Sequence, residues 1–227
     1  MAYRLNQRLA GFRCLQCGIV HPVADHFGGC PVCLEAGSPS SVAAAYRGFP
    51  DSLAAPGGRG CARYANWLAC RDWRSLGEGG TPLVEVPGLA EPPGTGRVLV
   101  KNEGQNPTGS HKDRMSMLAG ADRRDRFPGT SALLSIGGDT VTYQALDALA
   151  LCGGTAAAVA EPDVSGDQKL LAECGLYLEL SSAAALTGLR RLRERGAVAP
   201  DETTVLIATS HGFKEEGVFG AGIPVVG

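Results

Sequence analysis

Apolar and polar positions follow two different periods along this chain. Short apolar or β-branched runs bounded by glycine or proline are typical of strands, and apolar positions three and four residues apart are typical of helices. Strands are predicted at 82–86, 98–101, 131–136, 155–160 and 203–208. Helices are predicted at 61–76, 112–126, 142–151 and 182–195. From residue 77 onward the two kinds of element alternate, which favours an α/β fold with a mostly parallel sheet.

Three segments of different composition are predicted. Residues 1–35 carry two closely spaced cysteine pairs and form a small unit of their own. Residues 36–76 are first rich in Gly, Ala, Ser and Pro, which indicates a linker, and then become helical. Residues 77–227 form the α/β domain.

Composition and charge exclude several classes of protein. A formal net charge of -2 over 227 residues does not favour nucleic acid as a partner. No stretch approaches the roughly 20 apolar residues of a membrane span, so no membrane association is expected. The first eight residues contain no apolar core, so no secretory signal is predicted and the cytoplasm is the expected compartment. In that compartment the eight cysteines are expected to be thiols or metal ligands.

The cysteine pairs have the spacing of a metal knuckle. Cys14 and Cys17 are separated by two residues, as are Cys30 and Cys33. Four thiolates close a tetrahedron around zinc and leave no open position, so a structural zinc is predicted. An iron ion on the same thiolates, or two buried or redox-active cysteine pairs, are the alternatives. The other four cysteines are predicted to be small core residues: Cys61, Cys70, Cys152 and Cys174.

Residues 106–114 form the most informative run of the chain. Pro107 and Gly109 indicate a turn, and Ser110 can cap a helix whose first turn contains Lys112. Lysine is the residue type that reacts with an aldehyde cofactor. Taken alone, however, such a lysine is more often a surface residue.

The surrounding motifs give this lysine a context. Residues 76–83 (LGEGGTPL), 98–103 (VLVKNE) and 106–114 (NPTGSHKDR) come in the order found in threonine synthases and their relatives. Residues 181–186 and 204–214 are similar to the late helix and terminal strand of the same enzymes. The chain therefore resembles the threonine synthase-like family of fold-type-II pyridoxal-phosphate enzymes. The Ser-His-Lys sequence is also similar to that of the tryptophan synthase β-subunit, a cousin within this fold.

The resemblance implies a role for particular residues. Lys112 is the expected catalytic residue and the covalent attachment point of pyridoxal 5'-phosphate. Thr209 is expected to bind the pyridine nitrogen of the cofactor, with Ser210 as the neighbouring candidate. The loop with Gly137, Gly138 and Asp139 is expected to contact the ring hydroxyl or the phosphate, although Gly138 stands where the family has asparagine.

The resemblance also implies a fold and a function. The expected fold is a three-layer, tryptophan synthase β-like domain that lacks its middle section, joined around residues 162–168, behind a zinc knuckle. The expected activity is that of a lyase, or of a β- or γ-replacement enzyme, in amino-acid metabolism, with a substrate such as O-phosphohomoserine. The alternatives are a catalytically degenerate binding or regulatory protein and one subunit of a split enzyme. A homodimer or a protein partner is expected to complete the missing domain.

Overall fold

A computed structural model describes residues 4–71, 75–90, 96–114, 133, 136 and 143–214. The chain divides into two compact units. The first comprises Met1–Ser75 with Gly138–Ala156, and the second comprises Leu76–Gly137 with Ala157–Gly227. Among the described helices, none is both long enough and apolar enough to span a bilayer.

The first unit is built on a small antiparallel sheet. Strand β1 (Leu9–Cys14) lies between β2 (Val20–His21) and β3 (Val42–Tyr46). A short helix, α1 (Pro31–Glu35), begins with proline, whose missing N–H costs nothing at the first position of a helix. Helix α2 (Tyr143–Cys152) also belongs to this unit and confirms the helix predicted at 142–151.

Residues 36–76 are predicted to be a linker followed by a helix, and both halves differ from that prediction. Strand β3 lies inside the predicted linker and pairs with β1 along its whole length. The helix predicted at 61–76 is a 3₁₀ helix that ends at Trp67. The carbonyls at the end of this helix accept hydrogen bonds from side chains. Tyr46 Oη donates to Trp67 O at 2.7 Å, and Asn6 Nδ2 donates to Leu68 O, one residue beyond the helix, at 3.0 Å.

The second unit contains a mixed sheet and two helices. Strand β4 (Leu83–Glu85) pairs antiparallel with β5 (Val98–Asn102), which pairs in parallel with β6 (Thr204–Ala208). These three strands confirm the ones predicted at 82–86, 98–101 and 203–208. Helices α3 (Glu161–Glu173) and α4 (Leu180–Glu194) cover the sheet, and α4 confirms the helix predicted at 182–195.

The α/β class is confirmed, but the prediction of a mostly parallel sheet is wrong for the described strands. Only β5 and β6 pair in parallel within the part of the chain that the structure describes. Strand β4 pairs antiparallel with β5, and an antiparallel pair needs no crossover between its strands. The strand predicted at 155–160 is wrong, because these residues form no strand and most of them are exposed. The strand predicted at 131–136 lies almost entirely outside the described residues.

The core of the second unit lies between the sheet and its helices. Val98 and Val100 are both 1% exposed, because alternate residues of β5 point to the same face of the sheet. Leu171 of α3 and Leu186 of α4 are equally buried. Between the helices, the buried carboxylate of Asp167 accepts a hydrogen bond from Thr187 Oγ1 at 2.7 Å and pairs with Arg190.

Truncation of Leu186 to alanine tests this core. Because the side chain is fully buried, Leu186→Ala should lower the free energy of unfolding by about 2–5 kcal/mol. The measurement is urea unfolding followed by far-UV circular dichroism. Leu83→Ala is the matched control, since Leu83 is 53% exposed, and should cost less than about 1 kcal/mol. Equal losses in the two variants would contradict this assignment of the core.

Candidate cofactor site and metal centre

The loop that carries Lys112 lies against the end of strand β6. Ser110 and Ser210 form an antiparallel bridge. His111 N donates to Thr209 O at 2.8 Å, and His211 N donates to Gly109 O at 3.0 Å. The fold thus brings the lysine loop together with the predicted cofactor-binding pair Thr209 and Ser210, which follow it by almost a hundred residues.

Local hydrogen bonds give the lysine loop its shape. Gly109 has a φ of 75°, and its N–H donates to Asn106 O at 2.8 Å, which closes the predicted turn. Asp113 accepts a hydrogen bond from Thr108 N at 2.7 Å. Ser110 Oγ accepts one from Lys112 N at 3.3 Å, which is the interaction of a helix N-cap. A helix starts at Lys112 as the sequence predicts.

Lys112 is exposed at the first turn of this helix. Its backbone is held by Ser110, but no hydrogen bond or ion pair joins its amine to another described residue. Lys101, by contrast, donates its amine to Thr81 O and is engaged in the fold. The amine of Lys112 is therefore free to react with a bound molecule.

Sequence reasoning missed the residue that holds Thr209. Ser182 Oγ lies 2.7 Å from Thr209 Oγ1, and it accepts a hydrogen bond from Ser210 N at 3.0 Å. Ser182 is buried in the first turn of α4. The sequence shows two serines at the start of the predicted helix. Which residues Ser182 binds, however, depends on how α4 packs on β6.

Sequence reasoning also missed a buried carboxylate at the centre of the site. Glu103 is 4% exposed and accepts hydrogen bonds from Arg114 Nε at 2.6 Å and Nη2 at 2.8 Å. Thr81 Oγ1 donates to it at 2.7 Å and Asn106 Nδ2 at 2.8 Å. Burial raises the pKa of Glu103, but these hydrogen bonds and the charge of Arg114 outweigh it and lower the pKa to about 2.

The remaining predicted cofactor contacts are Gly137, Gly138 and Asp139, which lie outside the described residues. The described part of the site thus consists of an unpaired amine, a hydroxyl-bearing strand end and a buried carboxylate network. An aldehyde cofactor with a ring nitrogen fits the amine and the hydroxyls.

The four predicted metal-binding cysteines converge in the first unit. Their Sγ atoms all lie within 4.8 Å of one another. Cys14 and Cys33 are 3.7 Å apart, as are Cys17 and Cys30. A tetrahedral ion with metal–sulfur bonds of about 2.3 Å requires sulfur–sulfur distances of about 3.8 Å, so the cluster fits such an ion.

Backbone geometry brings the cysteines together. A Cβ atom on Gly29, which has a φ of 80°, would lie 2.3 Å from Ser40 O, so only glycine allows the chain to turn here before Cys30. The N–H groups of Gln16 and Cys17 each donate to Cys14 Sγ at 3.4 Å.

The cluster also favours a cation. Although burial opposes ionisation, these N–H groups lower the pKa of Cys14 to about 5. Burial and the neighbouring thiols raise the pKa of Cys33 to about 12. A cation bound among the sulfurs would favour the thiolate form of Cys33 and offset these effects.

The cysteine spacing does not predict one further residue that lies beside the cluster. His21 is buried, and its Nε2 lies 3.2 Å from Cys30 Sγ. A ring N–H at this distance can donate a hydrogen bond to a metal-bound thiolate and orient it.

The prediction that the other cysteines are core residues is wrong. Cys152 and Cys174 are exposed, and Cys61 and Cys70 are half-buried. Cys152 is the last residue of α2 and Cys174 caps the end of α3, where side chains point away from the packed face.

Comparison with known proteins agrees with the motifs of the lysine loop. Residues 74–141 match the family described as "Pyridoxal-phosphate dependent enzyme". The threonine synthase of Methanocaldococcus jannaschii is 40% identical over 83 residues, which are 36% of this chain and 20% of that protein. The threonine synthase of Methanosarcina acetivorans is 39% identical over 83 residues, again 36% and 20% of the two chains. That of Halalkalibacterium halodurans is 38% identical over 76 residues, 34% of this chain and 21% of the relative.

Residues 74–141 are therefore similar to the pyridoxal-phosphate-dependent enzyme family. The relatives named above are threonine synthases, in agreement with the threonine synthase-like motifs of the sequence. The chain matches about a fifth of the length of these curated relatives.

The buried Glu103 predicts a pH dependence of stability. Its folded pKa of about 2 lies below the ordinary value of 4.5, so its contribution is present above pH 4.5 and is lost as the pH falls towards 2. The contribution is on the order of 3 kcal/mol. Glu103→Gln should therefore be less stable at pH 7 and should lose less stability between pH 4.5 and 2 than the wild type. Urea unfolding at several pH values measures both effects.

Glu85→Gln is the control for this prediction. Glu85 pairs with Arg97 at 2.7 Å, but both side chains are exposed. Its removal should change stability little at any pH. The assignment is contradicted if Glu103→Gln keeps the acid sensitivity of the wild type.

Proposed function

We propose that this chain acts as a pyridoxal-phosphate-dependent lyase or β- or γ-replacement enzyme of the threonine synthase type. Its substrate would be an amino acid such as O-phosphohomoserine. The observation that carries the proposal is the free amine of Lys112 on a loop that is bridged to Thr209 and Ser210. The net charge of -2 does not favour nucleic acid as a partner, and the proposed compartment is the cytoplasm, where thiols stay reduced.

Each residue of the site has a distinct proposed task. Lys112 would hold the cofactor through its Nζ atom and move protons at Cα and Cβ of the substrate. The bound cofactor supplies an electron sink for negative charge at the substrate carbon. Thr209 Oγ1 would hydrogen-bond the pyridine nitrogen, and Ser210 would support the same strand end. Gly137, Gly138 and Asp139 remain the proposed contacts of the phosphate and ring hydroxyl.

Two other groups would position these residues. Ser182 holds the hydroxyl of Thr209 from α4, so the position of that hydroxyl does not depend on solvent. Glu103 binds Arg114, which lies two residues after Lys112, and so fixes the start of the lysine helix. Residues held in this way are pre-organised, which is what positions reacting groups in an active site.

The four-cysteine cluster would hold a structural zinc. All four ligand positions are filled by Cys14, Cys17, Cys30 and Cys33, so no position is left for a substrate. The ion would join the end of β1 to α1, because Cys14 ends the strand and Cys33 lies in the helix.

The second candidate function is that of a binding or regulatory protein, or of one subunit of a split enzyme. It is supported by Gly138, which stands where the family that the chain resembles has an asparagine. In both cases a second copy of the chain or a protein partner would complete the site around Lys112.

Covalent capture of the cofactor tests the proposal. The purified chain should develop a visible absorbance band with pyridoxal phosphate, and borohydride reduction should fix the cofactor on Lys112. Peptide mass mapping distinguishes the four lysines of the chain, which are Lys101, Lys112, Lys169 and Lys214. A substrate screen with phosphohomoserine and serine derivatives then separates an enzyme from a binding protein.

Lysine variants provide the controls for this experiment. Lys112→Ala should abolish both the band and the label, whereas Lys169→Ala, an exposed lysine of α3, should keep them. Label spread over several lysines, or a band that survives in Lys112→Ala, would overturn the role of Lys112. A labelled chain without turnover of any substrate would favour the binding or split-enzyme alternative.

Metal content tests the zinc site. Native mass spectrometry should show one zinc ion per chain, and a chelator should remove it and lower the melting temperature, because the ion binds the folded state. Cys30→Ser should lose the zinc. Cys152→Ser, which changes an exposed thiol, should keep it. Retention of zinc by Cys30→Ser, or iron in place of zinc, would refute the proposed centre.

A further inference from the structure

The four sulfurs of the cysteine cluster differ in their exposure to solvent. Cys14, Cys30 and Cys33 are buried, whereas Cys17 is exposed. Cys17 also lines a cavity of about 520 Å³ on the surface of the first unit. Cys14 belongs to the same wall but is only 1% exposed. A small molecule from solvent therefore reaches the sulfur of Cys17 before the other three.

The sulfur of Cys17 has a partner within reach of bond formation. Cys17 Sγ and Cys30 Sγ are 3.7 Å apart, and Cys14 Sγ and Cys33 Sγ are separated by the same distance. Two sulfurs at this distance must approach by about 1.7 Å to form a disulfide bond. Each contact joins one Cys-x-x-Cys pair to the other, whereas the sequence spacing alone would suggest bonds within each pair.

We infer that Cys17 is a site of oxidation by hydrogen peroxide and that it closes a disulfide bond with Cys30. The inference rests on the zinc ion proposed above, because a thiol bound to a metal ion is a thiolate, and the thiolate is the form that attacks a peroxide. It does not rest on the role of Lys112.

The oxidation takes place in two balanced steps. In the first, the Cys17 thiolate attacks one peroxide oxygen, the O–O bond breaks, and a sulfenic acid and a hydroxide ion form. In the second, the Cys30 thiolate attacks the Cys17 sulfur, the S–S bond forms, and the S–O bond breaks with loss of a second hydroxide ion. Two protons from solvent convert the hydroxide ions to water. The peroxide thus gains the two electrons that the two sulfurs lose.

The disulfide bond removes two of the four metal ligands. Cys14 and Cys33 alone do not close a tetrahedron around the ion, so zinc leaves the cluster. A second peroxide then joins these two cysteines in the same way, since their sulfurs are also in contact. The first unit thereby loses its metal ion under oxidising conditions, and a thiol reductant restores the four thiols.

Zinc release by peroxide tests the inference. The zinc-loaded full chain is treated with hydrogen peroxide, and the released ion is measured with a chromogenic chelator. Zinc should be released before Cys152 and Cys174, which are exposed thiols outside the cluster, are oxidised. Dithiothreitol followed by added zinc should restore the metal content of the chain.

Peptide mapping identifies the disulfide bond. Asp25 lies between the two cysteine pairs, so cleavage at Asp25 separates Cys14 and Cys17 from Cys30 and Cys33. A bond between Cys17 and Cys30 keeps the two peptides joined, whereas bonds within each pair let them separate. Fragment spectra of the joined peptides should show Cys17 bonded to Cys30.

A pair of variants tests the role of Cys17. Cys17→His keeps a zinc ligand but removes the attacking sulfur, and the exposed position accommodates the larger ring. This variant should bind zinc and, with peroxide, release it at least about tenfold more slowly than the wild type. Cys152→Ser is the control and should release zinc at the wild-type rate. If Cys17→His binds no zinc, trapping of the sulfenic acid with dimedone in the wild type still identifies the cysteine that is oxidised first.

The possible failures can be told apart. Zinc that stays bound after Cys152 and Cys174 are oxidised would overturn the inference and leave the proposed zinc ion intact. Disulfide bonds within the Cys-x-x-Cys pairs, or a first sulfenic acid at another cysteine of the cluster, would overturn the assignment of Cys17 and Cys30. A purified chain that binds no zinc would overturn both the zinc proposal and this inference.

Discussion

The ion pair between Glu103 and Arg114 is the interaction on which the candidate cofactor site depends. Glu103 follows β5 directly, and Arg114 lies in the first turn of the lysine helix. The same carboxylate binds Thr81 and Asn106, so three separate motifs meet at one buried group. Taking a carboxylate out of water is costly, and here four charged or polar donors offset that cost. Loss of one partner would leave a buried charge uncompensated and release the loop that presents Lys112.

Helix α4 connects this network to the rest of the second unit. Its first turn supplies Ser182, whose hydroxyl binds both Thr209 and Ser210 at the end of β6. Its middle packs Leu186 into the core, and Thr187 binds the carboxylate of Asp167 on α3. Its last turn carries Arg193, whose Nε and Nη2 atoms are buried and have no hydrogen-bond partner among the described residues. One helix thus holds a predicted cofactor contact at its start and packs into the core of the second unit along its middle.

The first unit has a different source of stability. Its sheet is small, and among the described residues its buried apolar cluster consists of Cys14, Cys30 and Cys33 with Val42 packed against them. A unit with so little apolar core needs another source of stability, and a metal ion held by four thiolates can supply it. His21 adds a buried ring nitrogen beside one of these sulfurs. The family match at residues 74–141 and the cysteine cluster therefore concern different parts of the chain and can be tested independently.

The sequence by itself determined the features that depend on local spacing. The two cysteine pairs, the turn and cap before Lys112, and the elements at 143–152, 180–194 and 204–208 follow from short patterns of residues, and the motif order indicated the family. Only the tertiary structure decided which groups meet across the chain. Glu103 with Arg114, Ser182 with Thr209 and His21 with Cys30 are pairs whose choice depends on packing. The pairing of β3 with β1 and the antiparallel start of the second sheet were also missed, because backbone hydrogen bonds between strands leave little trace in side-chain periodicity.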